Sequence, residues 1–205
     1  MEQFNFVSCN SCTVPAVIKA LELNNLSGCY AEFGVFRGGS FCNVLKYLNS
    51  NNTKINKCYG FDSFTGFPPP SNDMERMYSK GTMGDTDYEQ VCNFVRGTQS
   101  KIPYELIKGY FDAVFPSKEL EPIAVCLVDC DAYTPSLLVL NYIKKYMQNG
   151  AIIAFDDYNL ADACQKTAIK DFLYINKDIE LFKLQDVSTP EWTVPVYEWK
   201  VKNEK

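Results

Sequence analysis

Two apolar runs that each end in paired acids constrain this chain most. Ile123-Ala124-Val125-Cys126-Leu127-Val128 leads into Asp129-Cys130-Asp131, and Ala151-Ile152-Ile153-Ala154-Phe155 leads into Asp156-Asp157. A run without polar alternation must be covered on both faces, the condition of a central strand in a parallel sheet flanked by helices. From about Gly28 onward the same logic repeats. CYAEFGV, CYGFD and YELIKG are short apolar runs, while SFCNVLKYL, YEQVCNFV, PSLLVLNYIKKYM and DACQKTAIKDFLYI carry helical period. This alternation predicts an α/β fold with a doubly wound, mostly parallel sheet. ELFKLQDV and TVPVYEWKV, joined by a turn near Pro190, predict a C-terminal antiparallel hairpin.

At 205 residues with 46% hydrophobic content, one core and one domain over 1–205 are expected. Its N-terminal helical segment would cover about 1–27, with the first helix at about Val14. The irregular stretch Thr65 to Thr86, rich in Pro, Gly and Met, is long enough to be expected as a functional lid. A net charge of −5 without a Lys/Arg cluster argues against nucleic acid as a partner and favours a small neutral or weakly charged substrate. No uninterrupted apolar run reaches about 18 residues, and the first residues lack a basic region followed by an apolar run, so no membrane association or secretion is expected. Nine cysteines, an odd number, then read as reduced thiols in a cytoplasmic protein. Cys9-x-x-Cys12 has no second such pair and the chain has no histidine, so zinc is not expected there.

In parallel sheets ligands sit beyond the carboxyl ends of the strands, usually at the first strand-to-helix turn. Here that turn is Glu32-Phe33-Gly34-Val35-Phe36-Arg37-Gly38-Gly39-Ser40. Its glycines permit a sharp bend and close approach to a ligand, with helix amides from Ser40 onward facing it. The spacing is not G-x-G-x-x-G, which disfavours a pyrophosphate-binding dinucleotide fold. Asp62, at the end of the second strand, stands where a ribose would offer two hydroxyls. The structural alternative is a plain tight turn with Asp62 capping the next loop.

The four acids at 129, 131, 156 and 157 leave two neighbouring strand ends and would repel one another unless a cation joined them. Oxygen ligands without histidine or thiolate select Mg2+ or Mn2+. The alternative is that Asp129 and Asp131 cap the helix near Pro135 while Asp156 and Asp157 are solvated. With no histidine available, Asp131 is the best general base for an alcohol whose developing charge a metal would stabilise.

These residues resemble the macrocin O-methyltransferase-like family of metal-dependent sugar O-methyltransferases. The resemblance lies in AEFGVFRGGS at 31–40, YGFDSFTGFP at 59–68, IKGYFDAVFP at 107–116, LVDCDAYTPS at 127–136 and AFDDYNLADACQKTAIKDF at 154–172. It implies a seven-stranded, Rossmann-like class I methyltransferase fold using S-adenosylmethionine. It also implies Glu32, Gly34, Phe36, Arg37 and Ser40 near the methionine end of the cofactor, and Asp62, with Ser63 and Phe64, on its ribose side. Gly109, Tyr110 and Phe111 would lie near adenine, Asp129, Asp156 and Asp157 on the metal, and Asp131 would be the base. The implied acceptor is a small-molecule hydroxyl on a sugar, and a homodimer is implied. The chain is short for the family before its first helix at about Val14, so N-terminal elements that would shape a substrate pocket or dimer contact are expected to be reduced. Cys130 is expected to pack into the sheet. Tyr133, Tyr158, Trp192 and Trp199 read as packed aromatics rather than named substrate contacts, and Arg37 either anchors a carboxylate or is solvated.

Three other readings stand beside this one. Asp129-x-Asp131 also suits a metal-dependent glycosyltransferase, but that leaves the glycine turn and Asp156-Asp157 without a role. A catechol-type O-methyltransferase uses similar metal logic, and a catalytically inactive binding domain would bind without turnover.

Overall fold

A computed structural model describes residues 12–158, 164–190 and 192–202. The elements are α1 (Thr13–Leu23), β1 (Gly28–Phe33), α2 (Gly39–Ser50), β2 (Ile55–Asp62), α3 (Tyr88–Arg96), β3 (Tyr104–Lys108), α4 (Phe111–Val114), β4 (Ile123–Val128), α5 (Tyr133–Ile143), β5 (Met147–Phe155), α6 (Cys164–Ile175), β6 (Ile179–Ser188) and β7 (Thr193–Val201). They build one seven-stranded sheet in the order β3-β2-β1-β4-β5-β7-β6. β1 to β5 run parallel, and β7 pairs antiparallel with both β5 and β6. The chain winds outward from β1 to β3 and then returns to β4 on the other side of β1. That reversal leaves a crevice at the carboxyl ends of β1 and β4.

The uninterrupted apolar strands are covered on both faces, as their composition requires. All six residues of both β1 and β4 are buried. Along β4, Val125 and Leu127 pack with Ala16, Val17 and Ala20 of α1 and Phe41, Val44 and Leu45 of α2. Cys126 and Val128 pack on the opposite side, with Val139, Leu140 and Ile143 of α5 and Phe172 of α6. In that second layer Phe33 stacks on Phe61 with ring centroids 4.8 Å apart. Burying each such ring stabilises the fold by roughly 1.5–3 kcal/mol.

The boundaries depart from the periodicity in two places. The helical pattern runs on to Met147, yet α5 ends at Ile143, because Tyr146 turns to accept a hydrogen bond from the Ile123 amide and Met147 pairs beside Ile123. The four-residue α4 is too short to leave a periodic signal. The expected first helix begins at Thr13, and the expected hairpin is β6–β7. Among the described residues eight cysteines are free thiols, and Cys9 lies outside them. No helix of the described residues is long and apolar enough to cross a membrane.

Candidate functional site

Four backbone hydrogen bonds bring five strand ends level. Gly34 donates to the Phe61 carbonyl at 2.9 Å, Asp129 to Phe33 at 2.8 Å, Asp156 to Val128 at 3.0 Å and Gly109 to Asp62 at 2.9 Å. The loops that leave these ends surround a cavity of about 560 Å3. The approach is close enough to dictate glycine. A Cβ on Gly34, whose φ is +99°, would lie 1.5 Å from the Asp129 carbonyl oxygen. Gly38 takes the left-handed conformation as N-cap of α2.

The carboxylate of Asp62 organises the first turn. One oxygen accepts from the Phe36 amide and the other from the Phe64 amide, each at 2.7 Å. Phe36 and Phe64 both have positive φ, 49° and 52°, which costs a bulky L-residue about 1–2 kcal/mol. The charge-assisted bonds to Asp62 offset that strain. Burial raises the Asp62 carboxyl above its ordinary value, opposed by amide bonds to the turn.

Glu32 lies deeper, fully buried at the end of β1. It accepts from Tyr30 Oη and Ser40 Oγ, both at 2.5 Å, and so ties the first turn of α2 to the strand. Burial pushes its carboxyl up to about 7 in spite of those two donors. Arg37 pairs with Asp85 of the 65–86 segment and also faces the cavity.

The second group of acids contrasts with the first. Asp129, Asp156 and Asp157 can each offer an oxygen with all three lying within 4.8 Å of one another. Burial raises Asp129 well above the usual carboxylate range, and the charges acting on it are Asp156, Asp157, Asp131 and Glu32, all acidic. Burial, Asp131 and Asp156 also raise Asp157 strongly. The donor set is hard oxygen with surplus negative charge, which fits a divalent cation such as Mg2+. Asp131 stands beside them at φ +54°, a conformation aspartate tolerates better than most residues, and its amide donates to Asp157 Oδ2 at 2.8 Å. Burial and then Asp156 push the Asp131 carboxyl up to about 6, while a hydrogen bond shared with Asp157 favours its ionised form.

The capping alternative for these acids does not hold. The N-cap of α5 is Ala132, without a side-chain cap, and it is Glu75 that accepts from the Thr134 amide, at 2.5 Å. Glu75 also accepts from the Ser71 amide at 2.9 Å, so the 65–86 segment is fastened over α5. The acids have their own supports. Thr13 Oγ1 donates to Asp156 Oδ1 at 2.6 Å, and Trp192 Nε1 donates to the Asp156 carbonyl at 2.9 Å. Gln165 accepts from the Asp157 amide at 3.1 Å and donates to the Val128 carbonyl at 3.2 Å.

Of the residues expected at a site, Gly34, Phe36, Arg37, Ser40, Asp62, Ser63, Gly109, Tyr110, Phe111, Asp129, Asp131, Asp156 and Asp157 all line the one cavity. Glu32 and Phe64 stand behind its wall. Cys130 is buried with its thiol beside Ser136, as its place in the sheet predicts. Among the four aromatics, Trp192 reaches the cavity, whereas Trp199 is wholly buried against Phe172. Tyr133 donates to Asp171, and Tyr158 packs near Tyr197. Thr13, Glu75, Tyr78, Gln165 and Trp192 are the contributors that sequence reasoning missed. Glu75 and Tyr78 were signalled only by their place within the long irregular stretch, and Trp192 only as an aromatic read as packed.

Known proteins agree with this architecture. A 4'-O-methyltransferase of 8-demethyl-8-(2,3-dimethoxy-alpha-L-rhamnosyl)-tetracenomycin-C from Streptomyces olivaceus is 25% identical over 162 residues, covering 76% of this chain and 61% of its own length. Demethyldecarbamoylnovobiocin O-methyltransferase from Streptomyces niveus is 23% identical over 156 residues, covering 73% of this chain and 59% of its own length. The chain thus spans about three fifths of these relatives. The crystal structure of the calicheamicin methyltransferase CalS11 superposes with a TM-score of 0.71 at 20% identity, over 91% of this chain and 77% of that one. The sheet is therefore that of the class I methyltransferases. The family model for macrocin-O-methyltransferase (TylF) matches residues 13–187, and the chain belongs to that family.

Proposed function

We propose that this protein is an S-adenosylmethionine-dependent, Mg2+-assisted O-methyltransferase acting on a hydroxyl of a sugar or glycosylated small molecule. The observation that carries this reading is the meeting, in one cavity, of the Asp62-braced turn and the three-aspartate cluster with Asp131 beside it. When bound, S-adenosylmethionine supplies a methyl group on a positively charged sulfur. Asp129, Asp156 and Asp157 would hold a divalent cation, which would supply electrostatic stabilisation to a hydroxyl oxygen that loses its proton.

The chain's own residues do the rest. The turn from Gly34 to Ser40 receives the methionine end of the cofactor. Asp62 keeps lone pairs free for ribose hydroxyls after satisfying two amides, and Gly109 to Phe111 border the adenine. Asp131 would accept the hydroxyl proton on its carboxylate, so that the acceptor oxygen is free to be methylated. Asp131 stands beside the cluster with its amide on Asp157 Oδ2, which would hold its carboxylate close to the oxygen that is methylated. Holding both partners in line contributes through orientation, worth as much as about 7–11 kcal/mol in well-aligned systems. The 65–86 segment, fastened by Glu75, covers the cavity as a lid and excludes water.

The names of the relatives direct the acceptor class towards sugar hydroxyls, with a rhamnosyl group in one of them. Calorimetry with S-adenosylmethionine and S-adenosylhomocysteine, with and without Mg2+ and with UDP-sugar controls, tests the proposal. Micromolar binding of the cofactor pair, abolished by Asp62→Ala, is expected. Metal-dependent binding of a UDP-sugar with no cofactor binding would instead favour a glycosyltransferase.

A further inference from the structure

One polar group in the cavity is left without a partner. Tyr78 belongs to the 65–86 segment and is 7% exposed, yet it lines the cavity. Its ring is fixed. Phe67 lies against it with centroids 4.8 Å apart, Ala132 and Cys164 complete a small apolar cluster around it, and its amide donates to the Glu75 carbonyl at 2.8 Å. Its hydroxyl, by contrast, is buried and has no hydrogen-bond partner among the described residues.

A buried donor without an acceptor costs free energy, so such groups are uncommon and each calls for a physical cause. A phenol hydroxyl titrates near 10 and is therefore a protonated donor at physiological pH. Its packing against Ala132, the residue after Asp131, puts it on the side of the cavity where the methylated hydroxyl would lie.

On the reading of the site as a sugar O-methyltransferase, we propose that Tyr78 is an acceptor-contacting residue. Its hydroxyl donates a hydrogen bond to a sugar oxygen other than the one methylated, and so selects acceptors that carry a second oxygen close by. The segment that Glu75 fastens to α5 would then read the substrate as well as cover it. An acceptor lacking that oxygen leaves the phenol unpaired, and sites built on a buried polar partner discriminate strongly against such analogues.

The test uses Tyr78→Phe, which removes one oxygen and keeps the ring in its cluster. Three measurements are made on the full chain with Mg2+: S-adenosylhomocysteine affinity by calorimetry, Tm without ligand, and affinity for methyl α-L-rhamnopyranoside by ligand-observed NMR in the presence of S-adenosylhomocysteine. The expected result is unchanged S-adenosylhomocysteine affinity, a Tm equal to or above that of the unsubstituted chain, and rhamnoside binding weakened about tenfold or more. Equal rhamnoside affinity in both proteins overturns the proposal. So does a lowered Tm in Tyr78→Phe, because the hydroxyl would then have a structural partner. If the unsubstituted chain binds S-adenosylhomocysteine but not the rhamnoside, the proposal falls while the methyltransferase reading survives. Failure to bind S-adenosylhomocysteine at all sinks that reading itself.

Discussion

The two halves of the cavity treat their acids in opposite ways. On the β1–β2 side each carboxylate is given two donors by the protein: Tyr30 and Ser40 for Glu32, the Phe36 and Phe64 amides for Asp62. On the β4–β5 side the strongest charges acting on Asp129 and Asp157 are other acids. The first half is organised by the chain alone, and strained residues such as Phe36 are held there without help. The second half stores repulsion that a counter-charge relieves. Under the proposed function, the difference follows from what each half would do. A turn that receives a neutral ribose and an amino acid end must be rigid, whereas a cluster that receives a dication must carry uncompensated negative charge.

The largest expected effect concerns Glu32, since hydrogen bonds there do not overcome burial. Its folded-state carboxyl titrates at about 7, above the ordinary 4.5. The folded state therefore favours the protonated form. The stability linked to this group is fully present below about pH 4.5 and is lost as pH rises to about 7. At roughly 1.4 kcal/mol per pKa unit the loss amounts to about 3 kcal/mol. Glu32→Gln should remove about that much of the loss between pH 4.5 and 8, measured as urea-unfolding stability, while the other raised acids keep their share. An unchanged slope would mean that the two donors do outweigh burial, and the contrast between the halves would be sharper still.

Next in size is Asp157→Asn. The amide oxygen can still accept from the Asp131 backbone, so the loop geometry is retained while one repelling charge is removed. In EDTA the variant should melt higher, by about 2–4 °C for each kcal/mol of repulsion relieved. Its affinity for Mg2+, by calorimetry, should fall more than about 100-fold, because a lost ligand costs more than a lost outer support. A lower Tm in EDTA together with unaltered Mg2+ binding would break the comparison, since the cluster would then be structural.

Much of this contrast was legible in the sequence, for reasons of period and chemistry. Continuous apolar runs identify β4 and β5, because a strand without polar alternation must be covered on both faces. Residues at the ends of such runs are placed by the strands themselves, which is why Asp62, Asp129, Asp156 and the glycine turn fell in one cavity. What supports them was not legible. Thr13 meets Asp156 across 143 positions, and Glu75 meets Thr134 across 59. A side chain that acts through tertiary contact leaves no local pattern, and its chemistry is that of any surface threonine or glutamate. The end of α5 was misread for the same reason, because pairing of Met147 beside Ile123 overrides the helical period of KKYM.

The smallest effect tests whether the repulsive half receives any organisation from the chain. Thr13 begins α1 and holds Asp156 Oδ1 at 2.6 Å, while α1 itself packs in the same core layer as α2, β4 and β5. Thr13→Val keeps the β-branched shape and removes only the hydroxyl. Two outcomes separate cleanly. If the threonine orients the carboxylate, Mg2+ affinity should fall about tenfold, at the lower end of what loss of an outer partner causes. Stability in EDTA should fall by only about 1 kcal/mol, the net worth of one hydrogen bond. If metal affinity is unaffected while stability drops, α1 merely anchors the strand end, and the aspartates find their arrangement through the cation alone. The first result would narrow the contrast between the halves to one of degree: both are positioned by the protein, and only one is left charged.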